Sequence, residues 1–245
     1  MRVSVVLPCF EEAQGLPALV AAVARSINAV CEGWEIVIVA SAAGTDGTVA
    51  VARDLAAHDP HVRVVVQSRE DAGYGRALAV GIAAARESWV LLMDADGQFD
   101  PRDAGRLLAL ASDADVVVGV RAPRRDRLAR RVAGAAYSRV LAAVTGVRVH
   151  DFDCGFKLVR RELVRDLAIV SRTGVANAEI LSGALRAGAR ITETPVSHAP
   201  RRAGTARFET AFGLPSPREA SRMIREVAAL GLRIARSRLS RTSVP

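Results

Sequence analysis

Short apolar runs of strand length recur through the first half of the chain, at residues 3–7, 35–39, 62–66, 89–93 and 115–120. Between them lie segments with helical spacing, at 16–30, after a loop at 45–48 through residue 55, at 75–86 and at 102–111. The runs do not alternate apolar with polar, so the strands they form must be covered on both faces, as in a parallel β-α-β sheet. The rhythm predicts an α/β fold with a Rossmann-like, mainly parallel sheet flanked by helices. With 245 residues there is room for one large domain, and an aromatic content of 4% makes its core one of Val, Leu, Ile and Ala.

The rhythm changes after Gly119. Residues 121–131 hold six arginines and a proline and read as a ligand-facing loop. A helix is expected at 128–144, a strand-like segment at 151–159, a helix at 178–187 and a strand at 191–198. A second arginine-rich loop spans 200–208, and a helix is expected at 218–239. We divide the chain into a domain at 1–213 and a basic amphipathic helix and tail at 214–245. On that helix Met223, Val227, Leu230 and Ile234 share one side, beside Arg222, Arg225, Arg233, Arg236 and Arg238. Such a helix either lies in an anionic membrane interface or packs on the domain.

The fourth apolar run ends in Asp94-Ala95-Asp96-Gly97-Gln98. In open α/β sheets ligands bind beyond the carboxyl ends of the strands. Two carboxylates planted there repel one another unless a cation sits between them. A hard divalent ion, Mg2+ or Mn2+, suits oxygen ligands and phosphate partners. The ordinary alternative is a strand-ending turn, which Asp and Gly also favour.

Net charge is +8, and Lys157 is the only lysine, so the positive charge is almost all arginine, whose planar fork suits phosphate. Cys9, Cys31 and Cys154 show no metal or redox spacing and fit a reducing cytoplasm. The chain opens on a strand pattern without a signal peptide, and no run approaches the roughly 20 apolar residues of a membrane span. We therefore expect a cytoplasmic protein, soluble or peripheral on the inner face of the plasma membrane. Gly73-Tyr74-Gly75-Arg76-Ala77-Leu78 lacks the third glycine of a dinucleotide fingerprint. Nucleic-acid binding is not expected, for there is no aromatic stacking platform.

Six segments, in order, resemble the family-2 glycosyltransferases, and among them the dolichol-phosphate (polyprenyl-phosphate) mannosyltransferase branch. They are Val5-Val6-Leu7-Pro8-Cys9-Phe10-Glu11-Glu12, Gly73-Tyr74-Gly75-Arg76-Ala77, Met93 to Gln98, Gly119-Val120-Arg121, Asp153-Cys154-Gly155-Phe156-Lys157 through Arg161-Glu162, and Arg201-Arg202-Ala203-Gly204-Thr205-Ala206-Arg207. The likeness covers roughly residues 3–208. It implies a GT-A fold and transfer of a hexose from a nucleotide diphosphate sugar to a polyprenyl phosphate, with metal dependence and inversion at the sugar. Pro8, Phe10, Glu12, Val39, Ser41, Asp94 and Ala95 would then bind the donor. Asp94, Asp96 and Gln98 would hold the metal, and Asp94, Asp96 and Arg121 would carry catalysis. Arg121, Arg127, Arg131, Arg202 and Arg207 would hold the acceptor phosphate. That acceptor is already anionic and needs no general base, whereas a sugar hydroxyl does.

One departure stands out. Where the family usually ends its second strand in Asp-Asp-Gly-Ser, this chain has Ala40-Ser41-Ala42-Ala43-Gly44, then Thr45-Asp46-Gly47-Thr48. The first family Asp accepts from the nucleobase; Ala40 cannot, and Ser41 lacks charge assistance. Asp46 reads as a helix cap rather than a replacement. Glu179 sits where the family carries an acidic residue on the acceptor side, and it could equally begin a helix. His150 and His198 lie near the Asp151/Asp153 pair and the late basic loop, as ligand contacts or as surface residues. The rival readings are transfer to a soluble hydroxyl acceptor, an antibiotic or glycan, and a degenerate nucleotide-sugar-binding module without catalysis.

Overall fold

The structure, a computed structural model, describes residues 1–122, 128–199 and 216–242, with the backbone alone given for 128–131 and 238–242. The strands are β1 (Arg2–Cys9), β2 (Gly33–Ser41), β3 (Val62–Gln67), β4 (Trp89–Leu92), β5 (Val116–Arg121), β6 (Lys157–Arg160) and β7 (Ile191–Val196). The helices are α1 (Leu16–Asn28), α2 (Thr48–His58), α3 (Tyr74–Ala84), α4 (Ala104–Ala109), α5 (Leu128–Thr145), α6 (Val175–Arg186) and α7 (Pro217–Thr242). One seven-stranded sheet runs β3-β2-β1-β4-β6-β5-β7. Every pairing is parallel except those of β6, which lies antiparallel between β4 and β5.

The strands read as continuous apolar runs because both sheet faces are covered. In β1, Val3, Val5 and Leu7 join one core with Leu16, Leu19, Val20, Val23 and Ile27 of α1, while Val6 joins the other. In β4, Trp89 and Leu91 face the first core, Val90 and Leu92 the second. The second core is closed by α3, α5, α6 and α7, and Leu230 and Ile234 of α7 are buried in it, with Met223 and Val227 packed at its edge. The apolar stripe of α7 thus turns inward, the second of the two orientations open to it. Outward it presents Arg218, Arg222, Arg225 and Arg236, with Ile224 and Leu232 exposed among them.

Three elements differ from the sequence expectations. Residues 151–156 form an irregular turn, and only Lys157–Arg160 pairs as a strand. The helix expected from 102 opens as a 3-10 turn at Pro101–Asp103, capped by the Asp100 side chain, before α4. The helix α6 begins at Val175, three residues early. Its first residues are buried polar and small side chains, Asn177, Ser182 and Glu179 among them, which mask the helical period.

Candidate active site

Antiparallel β6 brings its amino end to the edge where β1, β2, β4 and β5 end. Five chain segments therefore meet there: the turn after Cys9, the turn after Ser41, Met93 to Gln98, Arg121, and 151–156.

Asp94 leaves β4 two residues beyond Leu92. Its Oδ1 is buried and has no hydrogen-bond partner. The Tyr74 hydroxyl, from the first residue of α3, lies close to the carboxylate. Gly155 closes the other side: a Cβ there would lie 1.9 Å from Asp94 Oδ2, so only glycine lets this turn approach the carboxylate. Burial first, then the charges of Asp96 and Asp153, push the Asp94 carboxyl up; Tyr74 and Lys157 oppose them. Asp96 Oδ1 accepts from the Gln98 backbone N–H at 3.1 Å, a tight Asx turn in which Gly97 takes φ +71.

A divalent ion fits this chemistry in part. Asp94 offers a buried oxygen with unmet lone pairs, and Asp96 lies one turn away on the same loop. Among the described residues no three His, Cys, Asp or Glu side chains converge. Two carboxylates would leave the rest of the oxygen shell to phosphate and water, the usual habit of Mg2+. Gln98 is tethered through its side-chain amide nitrogen. Its Nε2 donates to the Ala199 carbonyl at 3.0 Å, and its own carbonyl accepts from Ala199 N–H at 2.8 Å. With the Phe99–His198 bridge and the T-shaped stack of their rings, it fastens the metal loop to the strand end that leads into the late basic loop.

Arg121 is buried, and Nε and Nη2 form a fork on Asp151 at 2.7 and 2.8 Å. Against the burial that would lower it, that pair holds the guanidinium charged. Arg127, Arg202 and Arg207 lie outside the described residues, as does the side chain of Arg131. Of the donor residues, Pro8, Phe10 and Glu12 are half-buried along the β1 turn, while Val39 sits in the core with no exposed surface. Ala95 is buried, and so is Ser41, whose hydroxyl accepts from Ala43 N–H at 3.3 Å. Asp46 caps α2 from just outside it, accepting from Thr48 N–H and hydroxyl at 3.0 and 2.6 Å, and it also takes the Ala13 N–H at 2.9 Å. Those bonds, working against burial, hold its carboxyl low.

Glu179 is a structural anchor. It accepts from Val170 and Ser171 N–H and pairs with Arg233 of α7. His150 pairs with Glu193 at the surface. Burial pushes the Cys154 thiol up to about 12, which removes it as a nucleophile at neutral pH. Three residues had no role assigned from sequence. Lys157 is wholly buried and reaches Asn177 Oδ1 at 3.0 Å and the Cys154 carbonyl; Asn177 and Tyr74 complete the cluster behind Asp94. The one visible signal was a lone lysine at the head of an apolar strand.

Residues 4–168 match the family model described as Glycosyl transferase family 2. An uncharacterized glycosyltransferase of Mycobacterium tuberculosis is 36% identical over 206 residues, 82% of this chain and 87% of that protein. The dodecaprenyl-phosphate galacturonate synthase of Rhizobium johnstonii is 26% identical over 211 residues, 85% of this chain; the match spans 62% of that longer protein. The fold matches the solved glucosyl-3-phosphoglycerate synthase of Mycobacterium tuberculosis in complex with Mn2+, UDP-glucose and phosphoglyceric acid. The TM-score is 0.65 over 93% of this chain and 80% of that one, at 18% identity.

Proposed function

The chain belongs to glycosyl transferase family 2, and we propose that it transfers a hexose, with inversion, from a nucleotide diphosphate sugar to a polyprenyl phosphate at the cytoplasmic membrane face. The observation that carries the metal-dependent chemistry is the unpartnered Asp94 oxygen at the one sheet edge where five segments converge. Asp94 and Asp96 would hold Mg2+ or Mn2+. Such an ion supplies charge neutralisation for the departing diphosphate. Gly155 lets the turn before β6 close against the Asp94 carboxylate, and the β1 turn from Pro8 to Glu12 lines the donor side. The relative named for a dodecaprenyl phosphate supports the acceptor class. So does the acceptor chemistry, since an anionic phosphate attacks without losing a proton.

No described helix is long and apolar enough to cross a membrane. The outward arginines of α7 support contact with an anionic surface, each contributing about 1 kcal/mol near it. Co-sedimentation with anionic vesicles should fall when Arg222 and Arg225 become glutamate; unchanged pelleting removes the membrane part of the proposal. With Ala40 and Ser41 at the end of β2, the base loses a charge-assisted bond of about 1.5–3 kcal/mol. Calorimetry should therefore find weak discrimination between UDP and GDP.

A second reading is transfer to a hydroxyl acceptor, favoured by Asp153, an exposed carboxylate close enough to Asp94 to raise it. Asp153→Asn separates the two. It spares transfer to a phosphate acceptor, and it costs about 10²-fold or more if Asp153 is the general base. The first test is a thermal-shift panel of nucleotide sugars with and without Mn2+. The proposal expects stabilisation by a nucleotide sugar that needs Mn2+ and is lost in Asp96→Ala. No metal-dependent stabilisation by any of them contradicts it.

A further inference from the structure

Among the described residues, only one side-chain-bearing residue holds a left-handed backbone, and it lies at the sheet edge where the site opens. Glu11, two positions beyond the end of β1, has φ +56. Asparagine, aspartate and histidine are the side chains most at home there; a glutamate is held against its own preference. The hold comes from both sides. Glu12 N–H donates to Thr48 Oγ1 at 2.9 Å and Ala13 N–H to Asp46 Oδ2 at 2.9 Å. The Glu12 carbonyl accepts from Gly15 and Leu16 N–H at 3.1 and 3.0 Å. The turn is thus bound to the loop before α2 and to the start of α1. Backbone strain persists where the surroundings overdetermine it, and it collects at ligand clamps.

The register of the sheet sets what Glu11 faces. Cys9 pairs with Ala40, so the turns after β1 and β2 leave the sheet side by side. The Glu11 side chain lies along the second of them: a Cβ on Gly44 would sit 3.4 Å from Glu11 Cγ. No residue from Ala40 to Gly44 carries a charge, and the one hydroxyl, on Ser41, accepts from Ala43 N–H at 3.3 Å. Glu11 therefore brings a carboxylate to a loop that has none of its own. That carboxylate is half-buried and makes no hydrogen bond or ion pair among the described residues. An ionised carboxylate only accepts, so what it lacks is a donor. A nucleoside diphosphate at this edge carries such donors on its base and its ribose.

We infer that Glu11 is a specificity-determining residue of the donor side: its carboxylate accepts a hydrogen bond from the ring N–H or the ribose 2′-hydroxyl of the nucleoside. This rests on the nucleotide-sugar reading given above. Uracil and guanine each present a ring N–H where cytosine has a bare ring nitrogen, so a base contact treats UDP and GDP alike and disfavours CDP. The direction of the effect separates the inference from plain electrostatics. A carboxylate without a donor repels the ligand's diphosphate, and removing it tightens binding; a carboxylate that holds a donor loosens binding on removal. The test is calorimetry of UDP, dUDP and CDP with Mn2+ on the full chain, with thermal unfolding of the ligand-free protein alongside. Glu11→Gln should bind UDP about 5-fold more weakly at an unchanged unfolding temperature, because it gives up the charge assistance. Glu11→Asn, shorter and suited to the left-handed backbone, should unfold at the same or a higher temperature and bind UDP about 10–100-fold more weakly. Selection of UDP over CDP by the wild type assigns the contact to the base, and selection of UDP over dUDP assigns it to the ribose. Equal or tighter UDP binding by both variants overturns the inference, as does equal binding of all three nucleotides by the wild type. A loss of binding matched by a large drop in unfolding temperature in both variants also overturns it, since that marks a structural role. Failure of the wild type to bind any of the three refutes the nucleotide-sugar reading and the inference with it, a result distinct from the ratios between proteins.

Discussion

At the amino ends of β1, β2 and β5, carboxylates are saturated; at the carboxyl end of β4 one is not. Glu35 accepts from the Ser4 hydroxyl, the Arg63 guanidinium and the Arg86 N–H, each at 2.7 Å. Asp115 takes Arg160 at 2.8 Å and the Arg190 N–H at 2.9 Å, joining the starts of β5 and β7 to the end of β6. Asp94, by contrast, keeps a buried oxygen without a donor and has acidic neighbours rather than an arginine fork. The same side-chain chemistry serves as a staple at one end of the sheet and is left partly unmatched at the other. What separates them is the supply of donors: Glu35 and Asp115 are met by arginine and backbone N–H groups, and Asp94 Oδ1 is met by none.

Substitutions should separate the two ends, and the largest effect belongs to the open one. Asp94→Asn should cost about 10²–10³ in turnover, the scale of losing one electrostatic contact to developing charge. It should leave thermal stability unchanged or raised, because a repelled, half-satisfied carboxylate is removed. A fall in unfolding temperature with turnover intact would place Asp94 among the staples. Glu35→Ala should do the reverse. It takes away the carboxylate that Arg63, the Ser4 hydroxyl and the Arg86 N–H share, and costs about 2–3 kcal/mol in denaturant unfolding, with turnover per folded molecule unchanged.

Acid should sharpen the contrast more gently. Hydrogen bonds from Arg190, then from Arg160, working against burial, hold the Asp115 carboxyl at about 2, against an ordinary 3.8. A carboxylate lowered by folding contributes stability above its unfolded value, and that contribution disappears as the pH falls through the folded one. Wild type should therefore lose stability between about pH 4 and pH 2 more steeply than Asp115→Asn. Parallel acid-unfolding curves across that window would show that Asp115 is not a staple.

Most of the fold was legible because doubly covered strands advertise themselves. Val3 to Leu7 and Trp89 to Leu92 carry apolar residues for two cores at once, so their runs are unbroken. The reversed strand β6 was not legible. Its pairing occupies four residues, and the turn before it is shaped by the approach of Gly155 to Asp94, a contact across 61 positions that no local pattern encodes. The acidic turn after β4 was legible because the apolar run breaks off at Asp94. The Arg121–Asp151 pair was not legible, because the two residues lie 30 positions apart and meet only through the sheet. The α7 stripe showed an amphipathic helix but not what it covers; Glu179 and the second core supply the answer.

The central claim is a cation-dependent transfer centred on Asp94 and Asp96. Its most direct test is transfer of radiolabelled sugar into an organic-extractable product, using purified protein, undecaprenyl phosphate in detergent, Mn2+, and whichever labelled nucleotide sugar stabilises the protein in the thermal-shift panel. The account predicts a labelled lipid phosphate sugar that disappears with EDTA, returns on adding Mn2+, and is absent with Asp94→Asn. Label reaching the organic phase in EDTA, or at wild-type rate with Asp94→Asn, would contradict it.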